Sequence, residues 1–521
     1  VKAARIQRGV GTLVAAAVVL PPLAWLAVAV VRVLGVPGGP WLDRTAYGLL
    51  LRSILLAVAA AGIAVGIGAP YGWLVARYRL PGRGLLALAS LLPLLLPPYA
   101  AAFAWSLLLA REGALNALLL RWGWIGSPLN SYRSLELAAL VLGLAYWPVA
   151  AWLTMFAARS VPPALEDAAR LHVADAAAAR WSAWPALRRS LPTAALLVGL
   201  LALADFGVPN SLGLPTYPVE IVTRFQYDRD PGMVARLAFP LLLLVIPLVL
   251  MQTYWLERLP VSAGAGAGVE RKLLGSSPAC WIGAAGCWAI LAISALLPLG
   301  VLAAHSLPPQ TYAAVWAESA DHFGNTLLSA GGGAVLAVGV ALLLGWSTRG
   351  RTVRWLDLAL TLPYALPASL IGVAMIQLLN RPGPPEWLYT SLGGLVWTYA
   401  ALFFPFAYKT LQPAWGQVDQ ELLDEGEVLG AGGWSRFRTA AWPVLRPYAI
   451  AGGALVAVLA ARELDATALL RIPGGDTIAF RIHDYLHFAP APNVAALCVI
   501  LVLLGAVIAG ALSLWAWKAD Q

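Results

Sequence analysis

Leu165-Glu-Asp-Ala-Ala-Arg-Leu-His-Val-Ala-Asp175, followed by Trp184-Pro185, has a counterpart far along the chain. There the sequence reads Leu423-Asp-Glu-Gly-Glu-Val-Leu-Gly-Ala-Gly-Gly-Trp434, followed by Trp442-Pro443. The spacing is nearly the same: 18 residues from Asp167 to Pro185 and 19 from Asp424 to Pro443. Each stretch is polar and lies between long apolar runs. Each is expected to begin as a short helix. Pro162 and Pro163 suit a first helical turn, and Glu166 and Asp167 put negative charge at the positive end of the helix dipole. In the second copy Asp419 is a ready N-cap, with Glu421, Asp424 and Glu425 close behind. Small residues follow, Ala168 and Ala169 in one copy and Gly426 in the other, and they leave the helix surface shallow. Gly430, Gly432 and Gly433 allow a sharp turn. Trp-Pro then marks re-entry into the next apolar run, where an indole suits a membrane interface.

The surroundings of the two stretches set the fold class. Of 521 residues, 60% are hydrophobic and only 12% are charged, about half the charged share of a soluble domain. A bilayer-spanning helix needs about 20 mostly apolar residues. Twelve such runs are expected, near 12–34, 49–75, 84–109, 135–158, 191–213 and 236–256, then 279–303, 325–346, 355–379, 389–411, 447–470 and 490–517. Their apolar content is continuous rather than alternating, which excludes a β-barrel. The expected fold is an all-α membrane protein of two homologous six-helix halves. Residues 1–260 form the first transmembrane half, 276–521 the second, and the small, glycine-alternating 261–275 a flexible linker between them.

The net charge of +9 does not indicate nucleic-acid binding. There are only four lysines (Lys2, Lys272, Lys409 and Lys518), and the arginines concentrate in the even-numbered connections. That bias predicts cytosolic N- and C-termini. The N-terminal Val-Lys-Ala-Ala-Arg-Ile-Gln-Arg leads into an apolar stretch with no small-residue cleavage site, so a retained first helix is expected; the missing initiator Met suggests trimming or a start chosen inside the natural chain. Cys280, Cys287 and Cys498 sit in apolar runs without metal-ligand spacing and read as buried hydrophobes. No metal site, resident cofactor or catalytic residue is expected.

The halves also repeat a proline pattern. Leu92-Pro93-Leu-Leu-Leu-Pro97 matches Leu362-Pro363-Tyr-Ala-Leu-Pro367, and each pair should bend its span. Charged residues fall in or beside equivalent spans: Asp205 in the fifth, and Arg462, Glu463 and Asp465 in the eleventh. Charge inside a bilayer is costly and usually faces a cavity or a partner. These four are candidates for a solute pathway, with a structural ion pair as the alternative. Two outer segments, Arg224-Phe-Gln-Tyr-Asp228-Arg229-Asp230 and His483-Asp484-Tyr485-Leu-His487, are expected as polar loops that could face a partner.

The paired polar stretches resemble the EAA loop of binding-protein-dependent ABC permeases, whose pattern is Glu-Ala-Ala, three residues, Gly, then Leu-Pro. Asp167 and Asp424 stand at the Glu position. Gly430 fits the Gly position, where the first copy has Val173. Trp184 and Trp442 replace the Leu. Arg52-Ser53, Leu80-Pro81-Gly82-Arg83, Pro97-Pro98-Tyr99, Ala204-Asp205-Phe206-Gly207, Arg462-Glu463-Leu464-Asp465 and Arg471-Ile-Pro-Gly-Gly-Asp476 are similar to segments of fused ferric-iron-type permeases, whose layout the thiamine permeases share. The resemblance implies a type I importer permease in a bacterial inner membrane, working with two copies of a separate ATPase and one external substrate-binding protein. It implies coupling-loop roles for Glu166, Asp167, Ala168, Ala169, His172 and Val173, and for Asp424, Glu425, Gly426 and Gly430. The implied cargo is first ferric iron, with thiamine, a phosphonate or a polyamine as alternatives. No Gly-x-x-x-x-Gly-Lys-Ser/Thr occurs in the sequence, so ATP would be hydrolysed by the partner. An ion-coupled secondary transporter is the rival class; it would need a midplane carboxylate or a discontinuous-helix site, for which Asp205 is a candidate, and it gives no reason for two matching loops.

Overall fold

The computed structural model describes residues 2–34, 44–127, 134–228, 230–256, 278–307, 309–350, 354–472 and 474–519. The linker expected at 261–275 lies outside the described residues. Those described are helical nearly throughout, with no strand among them. Ten helices are long and apolar enough to cross a membrane. An eleventh span is broken into Arg354–Ala365 and Ala368–Leu379, which meet at 104°. The chain is therefore a multi-pass membrane protein.

The expected count of twelve is not reached on length and apolarity alone. The tenth expected run is the 24-residue helix Leu392–Trp415, which is long enough but falls outside the ten. Tyr399, Tyr408, Lys409 and Gln412 dilute its apolar character.

The two proline pairs act alike. Leu96 precedes Pro97 with ψ 118°, and Leu366 precedes Pro367 with ψ 145°. Both are extended because the proline ring excludes the helical conformation from the residue before it. The third expected span, 84–109, is accordingly divided into Arg83–Ala89, Leu92–Leu95 and Pro98–Leu109.

The chain forms two compact units. One comprises residues 42–220 and 241–305. Within it, helix Arg44–Arg77 lies along helix Leu135–Arg159. A Cβ on Gly72 would collide with the Ala151 backbone, so glycine is what allows this approach. The second unit comprises residues 1–41, 221–240 and 306–521. Here helix Pro309–Thr348 packs on Leu392–Trp415, and Gly345 leaves room for the Trp415 indole. The N-terminal span belongs to this second unit, where Trp397 Nε1 donates to the Val18 carbonyl at 2.8 Å. Its apolar core gathers Leu344, Phe404, Leu411, Trp415, Leu423 and Leu445.

Candidate functional site

The first loop helix is Pro163–Arg170, with Pro162 as its N-cap residue and Pro163 inside its first turn. It is built around one buried carboxylate. Glu166 is 4% exposed and lies between two arginines. Arg170 Nη2 approaches Glu166 Oε1 at 2.7 Å, one turn along the same helix, and Arg77 pairs with the other oxygen. Arg77, the last residue of helix Arg44–Arg77, is itself buried. Arg170 also reaches Asp167 at 2.7 Å and Asp175 at 3.5 Å. The network fixes the loop helix to the end of the second span. Asp167, Ala168, His172 and Val173 are exposed on its outer side and Ala169 is half-buried; Leu165 and Leu171 add apolar surface.

The second loop helix, Gln420–Val428, starts with Asp419, whose carboxylate accepts from the Glu421 and Leu422 N–H groups. The residue at the place of Glu166 is Leu423, also 4% exposed, seated in the apolar core. The ion pairs have moved outward. Arg349 Nη1 meets Asp424 at 2.6 Å, and Arg436 Nη1 meets Glu427 at 2.6 Å. The Asp424 side chain is 58% exposed. Arg349 follows helix Pro309–Thr348 directly and has φ +52°; among the described residues it is the one non-glycine with positive φ. A strained backbone at a residue that holds another element is often tied to function.

The two turns differ. Gly430 has φ +78°; its N–H bonds to the Glu427 carbonyl at 3.1 Å, and the Ala431 N–H to the Gly426 carbonyl at 2.8 Å. This is a Schellman ending. Val173 needs no positive φ. Its N–H and that of His172 bond back to the Ala169 carbonyl, and Ala174 with ψ 150° then starts helix Asp175–Ala204. Gly426 is small for an internal reason: a Cβ there would press on Arg436 Cγ at 3.1 Å. Trp184-Pro185 is not a loop end, because the helix Asp175–Ala204 runs through it. Glu425 is exposed.

The four pathway candidates follow the long helices rather than lying inside them. The expected spans 191–213 and 447–470 stop as helices at Ala204 and Ala461. Asp205 and Arg462 are the residues that follow. Asp205 Oδ1 accepts from the Val208 N–H at 2.8 Å. Glu463, buried, accepts from the Ala466 N–H at 2.9 Å and the Thr467 N–H at 3.1 Å. Each carboxylate thus caps the short turn after its broken-off helix. Each turn leans on a bent span. Gly207 faces Tyr99, just past Pro97, and Gly372, just past Pro367, faces Ala466. Arg462 and Asp465 flank the second cap.

Sequence reading missed Arg77 and Arg349 as anchors of the loops. The signal was present: each is an arginine at the C-terminal end of the second span of its half. The two outer segments are helices rather than loops, Tyr217–Asp228 and Ile478–Phe488. Among the described residues no three His, Cys, Asp or Glu side chains gather as metal ligands.

No family model matches the chain. Curated relatives do. The Fe(3+)-transport system permease protein FbpB 2 of Haemophilus influenzae is 26% identical over 483 residues, covering 90% of both chains. The thiamine transport system permease protein ThiP of Salmonella typhimurium is 27% identical over 461 residues, 82% of this chain and 81% of its own. A putative 2-aminoethylphosphonate transport system permease protein, PhnV of Salmonella paratyphi A, is 26% identical over 228 residues; these are 84% of its length but 40% of this chain. A helical membrane fold among the described residues and similarity over 90% of both chains agree: the chain is a homologue of permease proteins of ABC importers, among them Fe(3+)- and thiamine-transport permeases.

Proposed function

We propose that the chain forms the translocation pathway of an ABC importer in a bacterial inner membrane, with both termini in the cytosol. It is a non-catalytic permease that draws its energy from a separate ATPase. The observation that carries this reading is the repeated loop helix, anchored in each half by an arginine at the end of the second span. Leu165, Leu171 and Val173 on the first loop, and Leu422, Val428 and Leu429 on the second, offer exposed apolar surface beside acidic groups. Two such surfaces suit two copies of an ATPase subunit. Closure of the ATPase pair would pull on both loop helices, and the anchoring arginines would pass that movement to the second span of each half. This is a switch between two states biased by differential contacts. An external binding protein delivers the solute.

Ferric iron is the first candidate cargo, supported by the Fe(3+)-transport relative that covers 90% of both chains. Thiamine is the second, supported by relatives that cover 82% of this chain. Asp205 and Glu463 shape the pathway by holding the turns that brace the bent spans, with Arg462 and Asp465 flanking the second turn. Co-purification with the ATPase tests the reading. Deleting 163–170 and 420–427 is expected to abolish ATPase association, and association that survives both deletions excludes it. If Asp205→Ala and Glu463→Ala leave transport and assembly unchanged, the pathway role falls.

A further inference from the structure

The unit that holds the second loop also contains a cavity of about 580 Å³, within the range of roughly 300–1,000 Å³ typical of small-molecule sites. It lies at the opposite end of helix Leu392–Trp415 from the loop: Tyr389 lines it, and Trp415 leads into the loop. Twenty-four helical residues separate the two by about 36 Å. The cavity unites the two outer segments singled out in the sequence. Helix Tyr217–Asp228 contributes Phe225 and Gln226, and helix Ile478–Phe488 contributes His483 and Phe488. Gln377 and Asn380 line it from the broken span.

Arg471 decides what this cavity can recognise. Its guanidinium stacks over the Phe480 ring at 4.8 Å, and stacking leaves the in-plane N–H edge available for oxygen. The carboxylate beside it, Asp476, is at 3.5 Å from both Nε and Nη2, longer than a charge-assisted hydrogen bond of about 2.7–2.9 Å. Among the described residues the one carboxylate lining the cavity, Asp484, lies 3.9 Å from Arg481, which offsets its repulsion. Three amides and an imidazole supply further donors. Phe225, Tyr389 and Phe488 supply apolar wall.

We propose that this cavity binds a small solute bearing a carboxylate or phosphate group, held by Arg471 with Asp476 as an internal competitor. The proposal rests on the permease reading and deepens it, because it names the chemistry of a solute met at the end of the unit away from the coupling loop. The oxyanion has two possible sources: a free organic acid, or the ligand shell of a chelated metal ion. A cavity of this volume is far larger than a bare cation, so ferric iron would be recognised here as an anionic chelate.

The test uses the full chain in lipid nanodiscs, titrated calorimetrically with citrate, ferric citrate, inorganic phosphate and thiamine. Saturable binding of at least one oxyanion probe is expected. Arg471→Gln should weaken it at least tenfold, and Asp476→Asn should tighten it several-fold by removing the competitor. Opposite signs from neighbouring substitutions are not what general damage to the fold produces. Should Arg471→Gln fail to fold, Asp476→Asn decides alone, since it keeps the guanidinium. Equal binding of citrate and ferric citrate identifies the free acid as sufficient; binding of ferric citrate alone identifies the chelate. The proposal is overturned if no oxyanion binds, if thiamine alone binds, or if Asp476→Asn fails to tighten binding. Co-purification of the ATPase, scored separately, shows whether such a failure touches the permease reading.

Discussion

The two loop helices occupy equivalent places and are held by opposite means. In the first half a carboxylate, Glu166, is buried between Arg77 and Arg170. In the second, Leu423 fills that place in an apolar core, and the charges have moved to the surface as Arg349–Asp424 and Arg436–Glu427. Burying a charge pair has a large desolvation cost, and its attraction offsets that cost only while both partners are present. An exposed pair gains little and loses little. The first loop is therefore fixed by electrostatics that tolerate no missing partner. The second is fixed by apolar burial and by the Gly430 turn. One loop position, filled twice in one chain, does not require one physical solution.

The largest effect is expected where a buried partner is removed. Glu166→Ala or Arg77→Ala should each destabilise the protein by about 3–5 kcal/mol, the range for breaking a buried pair. Arg77→Met with Glu166→Leu should recover most of that loss, since it gives the first half the apolar solution of the second. Thermal unfolding of the purified protein measures both. Singles that cost no more than surface substitutions would erase the difference between the loops. Next comes Leu423→Ala, expected to cost about 2–5 kcal/mol as a large-to-small core change, read from the same unfolding curves. A smaller loss would mean that the second loop does not depend on burial.

The turns give a finer contrast. Gly430→Val forces a β-branched residue into a left-handed conformation that costs ordinary L-residues about 1–2 kcal/mol. Val173→Gly removes a side chain from a turn with no such requirement, and should change stability by less than about 1 kcal/mol. Coupling would follow: ATPase activity stimulated by the solute-loaded binding protein should fall more for Gly430→Val than for Val173→Gly. Equal losses would show that both turns need the same flexibility.

Much of this was legible in the sequence, and the rest was hidden for identifiable reasons. Continuous apolar runs marked a many-span helical membrane fold without fixing the count or the ends of the spans, and the proline pairs marked the breaks at Leu96-Pro97 and Leu366-Pro367. Asp419 and Pro163 marked the loop helix starts correctly because capping is local chemistry. Helix ends at Ala204 and Ala461 were not legible, since hydropathy runs on through Asp205 and Arg462 while the capping carboxylates stop the helix. The arginine that ends each second span was legible, but Arg77 and Glu166 are far apart in sequence, so which carboxylate Arg77 meets shows only in the packing. Val173 departs from the glycine of the resembling pattern, and the sequence alone does not show how the turn is made; the backbone makes it with Ala174 extended.

The smallest expected effect is at the exposed pair. Asp424 and Arg349 meet at 2.6 Å, but such short surface contacts typically contribute only about 0–1 kcal/mol, because solvent screens them and both side chains lose freedom. Asp424→Ala should thus leave unfolding nearly unchanged. A double-mutant cycle with Arg349→Ala should give a coupling below about 1 kcal/mol that shrinks further as salt is raised. Arg349 on its own carries a second cost, its φ of +52°. Arg349→Gly should relieve that strain while deleting the ion pair, and so should be no worse for stability than Arg349→Ala. If transport nevertheless falls with Arg349→Gly while stability holds, the strained arginine is a transmitting element rather than a brace. If transport holds as well, the second half couples without Arg349, through the apolar seat of Leu423, and the asymmetry between the loops is one of mechanism as well as of packing.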